Sequence, residues 1–192
     1  MKSSRIRSSS YSMKLEYHKD NLILKVLSGK DTMQVLDFYK RNRDCFDIYE
    51  ADKPDNFYTP EYIRSVLQAE YNGHIHGKYT RFFLYDRTYP GEIIGTVSFS
   101  NIHTGAFMSC CIGYKIDTQF QNQGYGRRML TMALQIMVTE RDMHRIEAYI
   151  LPDNEVSVRL VKSLGFISEG MAYSYVYMRG SWRDHLRYTY IS

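Results

Sequence analysis

Two hydrophobic patterns follow one another along this chain, and their order restricts the fold more than any other feature. Residues 80–86 (TRFFLYD), 92–100 (EIIGTVSFS) and 107–116 (FMSCCIGYKI) read as strands in series, separated by the turn pairs Pro90-Gly91 and Thr104-Gly105. The first two should pair antiparallel, and the third, more uniformly apolar, belongs near the centre of the sheet. After residue 116 the period changes, to a helix over 126–141, a strand over 145–150, a helix over 154–164 stopped by Gly165, and further strands after Phe166. An antiparallel meander running into alternating strand and helix predicts an α+β fold, with a single mixed, mainly antiparallel central sheet flanked by helices.

Upstream, residues 21–28 (NLILKVLS) predict a first strand, and residues 33–43 predict a helix with Val35, Leu36 and Tyr39 apolar. Thr59-Pro60-Glu61 supplies an N-cap, a first-turn proline and an acid for a second helix over 62–71. A chain of 192 residues supports one domain; we place it at 14–192, behind a disordered, basic, Ser-rich leader at 1–13. Lys and Arg number 25 against 21 Asp and Glu, a net charge of +4, and Lys2, Arg5, Arg7 and Lys14 account for that excess. The body is therefore neutral in sum, and no direct nucleic-acid partner is expected. No apolar run has signal-peptide or membrane-spanning length, so the expectation is a cytoplasmic protein without a membrane partner, as a monomer or homodimer. Cys45, Cys110 and Cys111 are odd in number and lack CxxC spacing, which argues against a disulfide framework and against a metal site.

The chemistry centres on Gln121, Asn122, Gln123, Gly124, Tyr125, Gly126, Arg127 and Arg128, a Gly-rich turn between the strand ending at Ile116 and a helix carrying Met129, Met132, Ala133 and Ile136. Glycines let the backbone approach a ligand, and the unpaired N–H groups of a first helical turn favour a phosphate or pyrophosphate. The third glycine of a dinucleotide fingerprint is absent and no Gly-Lys-Ser/Thr follows, which sets aside a Rossmann site and a P-loop. An isolated GxG can equally do no more than turn a strand into a helix.

Taken with Ile94-Gly95, Gly113-Tyr114, Arg145-Ile146-Glu147-Ala148, the segment 152–157, Leu164-Gly165-Phe166 and Glu169-Gly170, the turn resembles the GNAT acetyltransferases. Within that superfamily Asn154-Glu155-Val156-Ser157 and the late Gly180-Ser181-Trp182-Arg183-Asp184-His185 resemble the ribosomal-protein-alanine N-acetyltransferases of RimJ and RimL type. The resemblance implies acetyl-CoA as co-substrate. Its pyrophosphate would lie on the backbone amides of Gln123 to Arg127, bordered by Gln121 and Asn122, with the pantetheine along the strand ending at Ile116. It further implies that the strands over 107–116 and 145–150 splay apart and that an amide near Tyr114 receives the thioester oxygen. Asn154 would then hold the pantetheine arm and Ser157 would sit near the sulfur. Spacing alone makes Asn154 an N-cap and Ser157 a first-turn hydroxyl.

Glu147 alternates with apolar neighbours and is the candidate to accept the ammonium proton through a water; a cross-strand ion pair is the alternative. His144 and His185 rank below it. Tyr173, Tyr175 and Tyr177 alternate along one strand and are expected in the core more than in an acceptor pocket. Cys110 and Cys111 point to opposite faces and lack a histidine partner, which favours direct transfer over an acyl-enzyme. A peptide α-amine titrates near ~7.8 and a lysine near ~10.4, roughly 300-fold in neutral nucleophile at neutral pH, which favours an N-terminal acceptor. The subfamily resemblance points to the N-terminal alanine of a ribosomal protein. Three other readings stand beside it. A polyamine or aminoglycoside acetyltransferase would use an acidic pocket drawn from Glu50, Asp52, Asp55 and Glu61. A CoA-binding module would bind without turnover, and an RNA-associated protein would use the leader in a salt-sensitive way.

Overall fold

The computed structural model describes residues 13–192. Eight strands, β1 (Glu16–Lys19), β2 (Leu22–Lys25), β3 (Thr80–Asp86), β4 (Gly95–His103), β5 (Ser109–Ile116), β6 (Arg145–Ile150), β7 (Ile167–Met178) and β8 (Ser181–Ile191), form one sheet in the order β1-β2-β3-β4-β5-β6-β8-β7. Among the described residues five helices accompany it: α1 (Thr32–Arg41), α2 (Arg43–Phe46), α3 (Pro60–Ile75), α4 (Tyr125–Arg141) and α5 (Glu155–Ser163). Among the described residues β5 and β6 pair in parallel and the other neighbours antiparallel, so the expected mixed, mainly antiparallel sheet is the one the chain forms.

Alternation along the strands divides the apolar residues between two faces. On one face α4 lays Met129, Leu130, Ala133 and Met137 against Leu24, Phe82, Val97, Phe99 and Ile146. On the other, α1 and α3 bury Val35, Leu36, Phe38, Ile63 and Leu67 over Phe83 and Ile93. Each of the larger side chains among these contributes about 1.5–3 kcal/mol on leaving water. The Thr59 cap forms as read, with the Tyr62 N–H donating to its Oγ1 at 3.3 Å. The helix runs past the expected end at 71 to Ile75, and Gly73 within it makes room for Tyr79, whose Cβ would be 2.9 Å from a Cβ placed there.

Several boundaries differ for identifiable reasons. The helix expected over 33–43 breaks at Asn42, whose amide donates to the Phe38 carbonyl at 2.9 Å and to Asp117 at 2.8 Å, and the chain restarts as α2. The first strand expected over 21–28 is β2, because Ser28 turns away to cap the next turn with Asp31. β1, with Tyr17 as its one buried residue, carries too little pattern to be read. β4 begins three residues late, because Glu92 still belongs to the turn, its N–H donating to the Tyr89 carbonyl at 3.2 Å, and β5 begins after the exposed Phe107 and a left-handed Met108. Tyr173, Tyr175 and Tyr177 are exposed rather than core: Ser174 has a positive φ and the β7–β8 register shifts between Ala172 and Val176. Of the leader, residues 1–12 lie outside the described residues, whereas Met13 is 6% exposed in the larger core and belongs with the domain. Among the described residues no helix is long and apolar enough to cross a membrane.

Candidate active site

The site is built where β5 and β6 part. The two strands pair only from Ser109↔Arg145 to Cys111↔Glu147, and beyond that the ladder stops while both strands continue. Backbone groups alternate in direction along a strand. The Arg145 N–H donates to the Met108 carbonyl at 3.1 Å, so even-numbered β5 residues face β6, and the Asp117 N–H donates to the Ile94 carbonyl at 2.9 Å, so odd-numbered ones face β4. The amides of Tyr114 and Ile116 therefore point into the opened gap. This is the splay the sequence resemblance implied, with the Tyr114 N–H directed into the gap.

Below the gap the chain leaves β5, makes a single 3-10 turn at Thr118–Phe120 and enters α4. Gly124 is the residue before the helix, at φ 80°, a left-handed backbone that glycine adopts at little cost, and it provides no side-chain cap. The first intrahelical bond near this end is Arg128 N–H to Gly124 O at 3.2 Å, which leaves the N–H groups of Tyr125, Gly126 and Arg127 for an anion. Gln121, Asn122, Gln123, Gly124 and Arg127 are exposed around them. Gln121 reaches back to the Ile116 carbonyl at 3.2 Å and Gln123 to the Gln119 carbonyl at 2.8 Å, holding the turn. Gly126 permits close packing, since a Cβ there would lie 3.2 Å from Leu160 of α5 and 3.6 Å from Ile116. Tyr125 differs from its neighbours: its side chain is buried and donates to Asp86 at 2.9 Å, so it offers a ligand only its amide.

On the α5 side of the gap, Asn154 caps the helix, its Oδ1 accepting from the Ser157 N–H at 3.1 Å. Ser157 Oγ donates to the Tyr114 hydroxyl at 3.0 Å. Burial pushes that phenol up to about 12, so both groups are neutral hydroxyls near neutral pH. The Tyr114 hydroxyl is a part of the site that sequence reasoning missed; its position follows from even-numbered β5 side chains facing α5, which spacing does not reveal.

Glu147, expected as a proton acceptor, takes the ion-pair alternative. It receives Arg145 Nε at 2.6 Å, Arg187 at 2.8 Å and the Tyr149 hydroxyl at 2.8 Å. Burial opposes its charge, but these donors outweigh it and hold the carboxyl at about 2, too acidic to take a proton from an ammonium. Beside it Tyr149 stacks on Tyr175 at 4.2 Å between ring centres, a wall that sequence reading did not anticipate. His185 is buried next to Tyr175. Burial also pushes the Cys110 thiol up to about 12 and raises Cys111, which agrees with direct transfer.

Toward α1 and α3 lies a cavity of about 310 Å³ whose wall includes Glu50, Asp52 and Glu70 together with Lys53, Arg81 and Lys115. Glu50 pairs with Lys115 and with Lys53, and Asp52 accepts the Arg179 N–H at 2.9 Å. Asp55 and Glu61 are exposed to solvent and do not line it. The acidic pocket that a polyamine enzyme would need is neutralised by its own cations.

Splayed central strands with inward amides, set above an uncapped helix start, define an acyl-CoA-dependent N-acyltransferase. The chain belongs to the GNAT acetyltransferase family: residues 21–167 match the acetyltransferase (GNAT) domain, and the protein is an N-acetyltransferase that uses acetyl-CoA. It is 32% identical over 173 residues to the [ribosomal protein uS5]-alanine N-acetyltransferase of Escherichia coli (strain K12), covering 90% of this chain and 89% of that one. The crystal structure of ribosomal-protein-S5-alanine acetyltransferase from Vibrio fischeri superposes with a TM-score of 0.86 at 30% identity, over 93% of this chain and 97% of that one. Mycobacterium smegmatis RimJ in complex with CoA-disulfide shares the fold, with a TM-score of 0.83 at 24% identity over 89% of this chain and 82% of that one.

Proposed function

We propose that this enzyme acetylates the N-terminal α-amine of a protein, with an alanine-initiated ribosomal protein as the acceptor class. The observation that carries the reading is the state of Glu147. With that carboxylate engaged by two arginines and a tyrosine, Glu147 is not free to act as the base a lysine or polyamine would call for. An α-amine near ~7.8 is already partly neutral and needs only water to take its proton. The charge-balanced cavity beside the site weighs against a polycationic acceptor in the same way, and the uS5-alanine enzyme relative supports the protein acceptor.

In the proposed arrangement the amides of Tyr125, Gly126 and Arg127 hold the pyrophosphate, with Gln121, Asn122, Gln123 and Gly124 shaping the turn. Ile116 and Asn154 line the pantetheine path. Acetyl-CoA supplies the activated acyl group. The Tyr114 N–H receives the charge that develops on the thioester oxygen, and proximity does much of the rest. As the N–C bond forms and the C–S bond breaks, Ser157 Oγ gives a proton to the departing sulfur. It regains one from water, which has taken the proton the amine loses.

The test mixes the full chain with acetyl-CoA and Ala-, Ser- and Thr-initiated peptides, a polyamine or an aminoglycoside, and follows thiol release. Turnover is expected with the peptides. Ser157→Ala should lower kcat by about tenfold, less than general acids usually supply, because a thiol near ~8.5 leaves readily. Turnover with the small amines alone would move the acceptor to small molecules, and binding without turnover would leave a sensor module.

A further inference from the structure

Gly113 occupies the middle of β5, paired with Ser98 of β4, and it is exposed in the interior of an eight-stranded sheet. Its backbone is not left-handed, and a Cβ built on it meets only Ser98 Oγ, at 3.4 Å, within ordinary contact distance. Other glycines near the site have reasons internal to the fold: a Cβ on Gly95 would lie 2.6 Å from the Lys115 carbonyl, and one on Gly126 would press on Leu160. At Gly113 the protein has neither reason. Glycine weakens a strand interior by roughly 0.5–1 kcal/mol relative to alanine. Strand glycines mark bulges, bends or the close approach of a backbone or ligand, and the β4–β5 register runs unbroken through Gly113 with no neighbouring backbone against it, which leaves the ligand.

The direction of that approach follows from the faces. Tyr114, whose amide faces the gap, is joined to Gly113 by one peptide bond, and its side chain meets Ser157 on the α5 face. Gly113 lies on the opposite face, with Cys111 and Lys115; Lys115 reaches Glu50 and the Tyr39 ring there. If the sulfur departs beside Ser157, the amine arrives from the Gly113 face. We infer that Gly113 determines acceptor specificity, its missing side chain leaving the space over β5 in which the amine-bearing first residue of the acceptor sits. The inference rests on the N-terminal acceptor proposed above and names the residue that measures its size.

The test compares wild type with Gly113→Ala and Gly113→Val, using thermal midpoint, calorimetric binding of acetyl-CoA, and kcat/KM on peptides that begin with Gly, Ala, Ser or Thr. Both variants should keep or raise the midpoint and bind acetyl-CoA as wild type does. Gly113→Val should lose about a hundredfold in kcat/KM on the Ala peptide, the usual effect of displacing a reacting group by about an ångström. Gly113→Ala should shift preference toward the Gly peptide and lose most on Thr. An unchanged peptide profile overturns the inference, as does an equal loss on all peptides accompanied by weaker acetyl-CoA binding. Absence of peptide turnover by the wild type sinks the N-terminal reading and this inference together, so the two failures are separable.

Discussion

At the scale of single residues, Glu147 shows how a neighbour decides what a carboxylate can do. Its pKa falls from 4.5 to about 2 in the folded protein, so folding favours the ionised form. The stability this provides is present above about pH 4.5 and is lost as pH falls towards 2. Urea unfolding at about pH 5 and about pH 3 should therefore show a larger loss for wild type than for Glu147→Gln; equal losses would contradict the ion-pair assignment. Activity is expected to follow the acceptor instead, kcat/KM rising with an apparent pKa near ~7.8 for a peptide substrate. Alternation in 145–150 identified Glu147 as a polar residue among buried ones. It carried no information about Arg187, which arrives from β8 opposite Tyr149.

At the scale of elements, α4 combines two roles that its sequence already advertised. Its apolar face packs on the sheet, and its start is free because Gly124 has no side chain to cap it. Gly124→Glu would place a carboxylate among those amides and force a side chain into a left-handed backbone at φ 80°. We expect KM for acetyl-CoA to rise by about tenfold or more, with Gly124→Asn far less affected because asparagine tolerates that backbone. An unaltered acetyl-CoA affinity in Gly124→Glu would move the anion away from the helix. The strands over 80–86 and 145–150 formed at their expected bounds, since each is a short apolar run closed by turn residues. One boundary moved because of a tertiary partner, Asn42 bonding to Asp117 across the fold, and others because of local caps and turns such as Ser28 with Asp31.

At the scale of the whole molecule, that same Asp117 ties the exit of the central strand to α1. It is fully buried and accepts from Arg41 Nε at 2.6 Å, Asn42 Nδ2 at 2.8 Å and the Gln119 N–H at 2.9 Å. Asp117→Ala removes one acceptor each from Arg41 and Asn42, which keep the Ile93 and Phe38 carbonyls, and leaves the Gln119 N–H without its partner; it should destabilise the fold by about 2 kcal/mol. Chemical denaturation measures this directly, and a change below about 1 kcal/mol would mean that water replaces the lost oxygen.

Local chemistry settled much of this protein in advance: most of the order of strands and helices, the Thr59 and Asn154 caps, and the Gly-rich turn before α4. Each depends on neighbours within a few positions, where backbone sterics and hydrophobic period act. The tertiary structure decided which groups share a gap. Only the β5–β6 separation turned the Tyr114 amide into an open gap, and only the β6–β8 register delivered Arg187 to Glu147. A strand's period of two assigns side chains to faces, but it says nothing of which strand or helix will stand opposite, because that is set by long-range burial.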